Sequence, residues 1–150
     1  MTSEIDKLEQ SRRRMLAGFG VAFLVWQLPE ILVAIIPLPG WAGPAFSVAA
    51  IAGVLGFLYY GWRMMSLAGR LADEPELSEG LYDERVRGLR DRAFVVGFWT
   101  LLVYIAFLHA FTLFFELHAV AAWIRLGLVI GVVVPITTFL VLDRDDDNGE

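Results

Sequence analysis

The chain reads as four long apolar runs separated by short polar or turn-forming connections. Positions 15–36, 45–65, 93–115 and 119–142 are almost continuously apolar. At about 1.5 Å per residue, each is long enough to cross the hydrocarbon core of a bilayer as a helix. Backbone groups inside hydrocarbon must be hydrogen-bonded within their own segment, so runs of this length predict helices rather than strands. The connections over 37–44 and around 116–118 have room only for a reversal, which folds the first and second runs, and the third and fourth, into hairpins. The predicted fold is therefore all-α, a four-span transmembrane helix bundle built from two antiparallel hairpins, with its membrane domain over 15–142.

The polar segments set the orientation. Residues 1–14 place Ile5, Leu8 and Arg12 on one helical stripe, which predicts a short surface-lying helix ahead of the first span. Ser11-Arg12-Arg13-Arg14-Met15-Leu16 resembles a twin-arginine export signal. Such a signal ends in a short apolar core and a cleavage site, whereas here a full-length span and three more follow, so the arginines are read as an orientation signal. Lys7, Arg12, Arg13 and Arg14 precede the first span and no base lies in 37–44, while Arg63, Arg70, Arg85, Arg87, Arg90 and Arg92 follow the second. By the positive-inside rule both termini and the 66–92 segment face the cytoplasm (N-in, C-in). All bases but Lys7 are arginine, which points to a G+C-rich bacterial genome and hence to a multi-pass protein of the bacterial inner membrane.

Within 66–92, Asp73, Glu74, Glu76 and Glu79 surround Pro75 and Gly80 as a loop. From Leu81 onward Tyr82, Val86, Leu89 and Ala93 recur at helical spacing, so the third helix is expected to start outside the membrane and run into it. Arg85, Arg87, Arg90 and Arg92 then lie at headgroup level, as snorkelling anchors or as contacts to anionic lipid headgroups. Asp83-Glu84-Arg85, leading through Arg90, Arg92 and Ala93 into a span, resembles the Asp-Glu-Arg signature of small multi-span bacterial membrane proteins of unknown function, some of them companions of small helix-turn-helix regulators. That resemblance covers about fifteen residues of the chain. It implies a regulatory rather than catalytic role, with a cytoplasmic or membrane protein as partner.

Composition narrows the chemistry. With 57% apolar and 19% charged residues the chain is not a water-soluble globule. The absence of cysteine excludes disulfides, thiolate catalysis and thiol redox relays. A net charge of −5 argues against direct nucleic-acid binding. Two histidines on or beside one helix cannot hold a haem from opposite faces, and His109, Glu116 and Glu30 show no zinc-ligand spacing, so no cofactor or metal is expected.

The intramembrane polar residues are the more informative. Glu30, His109 and Arg125 fall at similar depth near the outer ends of their runs, and His109, Thr112 and Glu116 repeat at i, i+3, i+7. Unpaired charge is costly there, so a polar cluster of Glu30, His109, Glu116 and Arg125 facing the bundle interior is expected. Read structurally, Glu30 and Arg125 neutralise each other; read functionally, Glu30 is the carboxylate of a small proton- or cation-coupled transporter. Gly127 and Gly131 form a small-xxx-small step, as do Ala45, Ala49 and Gly53, suited to close packing within one chain or to a homodimer. The tail over 143–150 has the alternating carboxylates of a calcium loop but lacks its glycine register and terminal glutamate, and reads as a solvated acidic tail. Together these features predict a non-enzymatic interaction or accessory subunit that works through its cytoplasmic segment.

Overall fold

The computed structural model describes residues 2–37, 39–73 and 84–147, and the side chains within 7–37, 39–70 and 86–144. Four helices account for nearly all of them: α1 (Thr2–Ile35), α2 (Ala42–Asp73), α3 (Glu84–Thr112) and α4 (Val120–Asp147). Each is long and apolar enough to cross a membrane, so the chain is a multi-pass, all-helical membrane protein. The predicted hairpins are present, with α1 against α2 and α3 against α4.

The helices pack in the order α2, α1, α4, α3, with α1 and α4 joining the two hairpins and α2 and α3 on the outside. Burial follows that order, since α1 and α4 hide more of their surface than α2 and α3. The outer helices turn large apolar side chains such as Trp62, Met65, Phe98 and Phe107 outward. Such a surface suits lipid, where apolar exposure carries no hydration cost.

Within each hairpin, contact is made where a side chain is missing. A Cβ on Gly53 would sit 2.4 Å from the Trp26 backbone nitrogen, so α1 and α2 touch backbone to backbone. A Cβ on Gly97 would sit 2.3 Å from Pro135 Cγ, so the ring of a proline inside α4 fills the gap that α3 leaves. Gly127 and Gly131 also face α3, at Tyr104 and Leu101. In the absence of a hydrophobic drive between helices in lipid, such close approach supplies the packing.

Two apolar clusters join the hairpins. Phe23, Ile31 and Val129 are buried together with Trp26, Phe57, Leu126 and Val133 against them. Leu89, Ala93 and Phe139 form the second, with Leu16, Val86 and Leu142. The first ties α4 to the α1–α2 hairpin and the second ties α1 to the α3–α4 hairpin.

Three boundaries differ from the sequence expectation, one of them the end of α2, which runs on to Asp73 in the segment read as a loop. Residues 2–14 are not a separate surface-lying helix but the first turns of a single 34-residue α1. Neither glycine nor proline interrupts 2–17, and Arg12 and Arg13 are held against the end of α4. The fourth helix runs through Asp147, so 143–147 is helical rather than a tail. Helix α3 is continuous from Glu84 into the apolar run, as its stripe predicts, while Leu81, Tyr82 and Asp83 lie outside the described residues.

Candidate functional site

Because the hairpins are antiparallel, the start of α1, the end of α2, the start of α3 and the end of α4 meet at one end of the molecule. Two polar centres result, one at each end.

At the far end Arg125 Nη1 and Glu30 Oε2 form an ion pair between α4 and α1. Each residue lies about 8 Å inside its helix terminus, and their matched depth lets the pair close. The pair is only partly covered, with side-chain exposures of 36% and 51%, so it sits at the flank of the helix row rather than in a sealed interior. His109 and Glu116 do not join it. Helix α3 packs chiefly on α4, and His109 is exposed on α3. The helix ends at Thr112, before Glu116, so the expected i, i+7 face is broken. The Thr112 hydroxyl instead donates to the His109 carbonyl (2.7 Å), and His118 Nδ1 lies 3.2 Å from the Glu116 carbonyl. The α3–α4 turn is held by Trp123, whose indole N–H donates to the His118 carbonyl (3.1 Å) and whose carbonyl accepts from the Tyr104 hydroxyl (2.6 Å). No group of three or more His, Asp or Glu positioned for a metal occurs among the described residues.

At the other end Arg13 of α1 grips the end of α4. Its Nε lies 2.5 Å from Asp143 Oδ2, and its Nη2 donates to the Asp143 backbone carbonyl at 3.1 Å. Asp143 is buried and Arg13 mostly so, with side-chain exposures of 4% and 26%. Beside them Arg12 stands over the Phe139 ring, 5.6 Å from its centroid, and within 3.9 Å of Glu9. Sequence reasoning missed this brace, although a signal was present. Val129, Val132, Ile136, Phe139 and Asp143 repeat at alternating steps of three and four, which puts Asp143 on the buried face of α4.

Next to the brace, all four helices line a cleft of about 490 Å³. Its walls include Met15 and Leu16 of α1, Leu67 of α2, Ala93 of α3, and α4 from Gly131 to Phe139. Arg12, Arg87 and Arg90 stand among the lining residues, and among the described residues no carboxylate does. Of the sequence-selected arginines, Arg87 and Arg90 therefore border the cleft, while Arg92 is exposed outside it. The side chains of Glu84 and Arg85 lie outside the described residues, as does Asp83 altogether. A second recess between α1 and α2 is more polar, with Lys7, Gln10, Arg14, Tyr59, Tyr60 and Arg63 around it.

A row of four membrane-length helices, paired as hairpins and braced at both ends by ion pairs between α1 and α4, defines the class: a multi-pass helical membrane protein. No known protein family, curated protein or solved structure matches the chain.

Proposed function

We propose that this chain is a non-enzymatic protein of the bacterial inner membrane, acting as an interaction or accessory subunit through its arginine-rich end. That end, with both termini and the 66–92 segment, faces the cytoplasm. The observation that carries the reading is the Arg13–Asp143 brace, which ties the start of α1 to the end of α4 and supports a rigid contact platform at that end. The exposed face of α3 beside it offers Arg87, Asp91 and Arg92 to a partner. The Asp-Glu-Arg resemblance over 83–93 favours a regulatory partner. The Glu30–Arg125 pair supports a structural role for Glu30 over a proton-carrying one, because each side chain supplies the other's counter-charge between α1 and α4.

The test has two arms. Reporter fusions after residue 150 and within 38–43 should report cytoplasm and exterior respectively. A photo-crosslinking side chain at Arg92 should give a discrete adduct in the native membrane, and one at lipid-facing Ile105 should not. A C-terminal fusion active only outside, or a proton or cation flux in vesicles that is lost in Glu30→Gln, would overturn the reading.

A further inference from the structure

Beyond a contact platform, we propose that the four-helix cleft is a binding site for one phospholipid with a net-anionic headgroup, drawn from the leaflet at the arginine-rich end.

The shape and chemistry of the cleft point to an amphiphile. On α3, Arg87 and Arg90 stand one turn apart and Phe94 follows Arg90 by four residues, so one helical stripe passes from two cations to apolar wall. The same gradient runs along α4 from Phe139, under the Arg12 guanidinium, to Gly131, a depth of about 12 Å toward the membrane centre. The cleft is thus cationic at its mouth and apolar along its length, which matches a phosphodiester above an acyl chain. Its volume lies in the range of specific small-molecule sites. Basic pockets between transmembrane helices at a headgroup surface suit anionic headgroups on charge alone.

Among the described residues, the acids beside the rim are Asp91 and Glu9, and neither lines the cleft. Asp91 pairs with Arg90 at 3.6 Å, but both side chains are more than half exposed, so the pair is loose. Glu9 is outside the lining and is shared by Arg12 and Arg13. The recess between α1 and α2 is also cationic, but its polar walls offer no seat for an acyl chain.

The cleft exists because the packing order is α2, α1, α4, α3. Outer helices that do not close on each other leave a trough whose floor is α1 and α4, open sideways to the leaflet. Lipid selection of this kind needs no protein partner, so it stands or falls apart from the role proposed above.

The full chain would be reconstituted in vesicles of equimolar phosphatidylglycerol and phosphatidylcholine, released gently into detergent, and examined by native mass spectrometry. One retained phosphatidylglycerol per chain is expected. Near a charged headgroup each arginine is worth about fivefold, so Arg87→Gln with Arg90→Gln should lower the anionic preference about thirtyfold. Arg70→Gln with Arg92→Gln removes the same charge outside the cleft and should leave the preference within about twofold. Ala68→Trp, which fills the cleft from the exposed side of α2, should abolish retention with every arginine in place, and the smaller Ala68→Leu should weaken it. Equal loss in the two arginine pairs would reduce the effect to diffuse surface charge and overturn the site. Retention unchanged in Ala68→Trp would put the lipid on the outer surface. A dimer abolished by Ala68→Trp, with no lipid retained, would assign the cleft to a second copy of the chain.

Discussion

Removing one side of the Arg13–Asp143 brace should loosen the junction between the two hairpins, and the two sides should not cost the same. Taking about 4 Å between charge centres and an effective dielectric near 20, the gross attraction is ~4 kcal/mol. Desolvation offsets part of it, so the net value of the pair is small, while the penalty for orphaning one member is large. Asp143, almost fully covered, falls under the buried-pair regime, and Arg13→Gln should destabilise by ~3–5 kcal/mol. Arg13 is more open and already has Glu9 at 4.0 Å as a second acidic neighbour, so Asp143→Asn should cost less, ~1–3 kcal/mol. The joint replacement Arg13→Met with Asp143→Leu removes both members of the pair, leaves neither orphaned and should recover most of the loss. Thermal unfolding in a fixed detergent measures the cycle, and amide exchange over 7–16 and 136–144 locates the change. Losses that simply add, or an Asp143→Asn loss greater than that of Arg13→Gln, would refute the reasoning.

At the opposite end, Glu30→Gln and Arg125→Leu should each destabilise by ~1–3 kcal/mol, less than a sealed pair because both side chains are partly exposed, and the double change should restore stability; additive losses in the same assay would dissolve the pair. Gly53→Ala should cost at least ~1–3 kcal/mol by forcing α1 from α2, because its Cβ would meet the Trp26 backbone rather than a movable side-chain tip. Gly69→Ala, with nothing within 4 Å in the same helix, should be neutral or stabilising by up to ~1 kcal/mol, and a matching loss at Gly69 would remove close approach as the cause.

The sequence by itself determined the number of spans, their hairpin pairing and the end at which the arginines gather. These rest on the length and polarity of each run and on connections too short for any other path, all of which are local properties. The partnership of Glu30 with Arg125 was legible for a related reason, since equal depth in antiparallel neighbours can be counted along the chain. His109 and Glu116 were drawn into that cluster wrongly. Which helix stands next to which is not written in hydropathy, and only the tertiary order α2, α1, α4, α3 kept α3 away from Glu30. The same order opened the arginine-rimmed cleft, whose lining comes from four helices with no common motif. Asp143 shows the boundary most sharply. Its heptad register was present in the chain, but a carboxylate beside three further acids reads as solvated until an arginine 130 residues away is brought within 2.5 Å. Spans are set by the free energy of each segment in lipid, and ion pairs and clefts by the way segments meet, which only the packed structure decides.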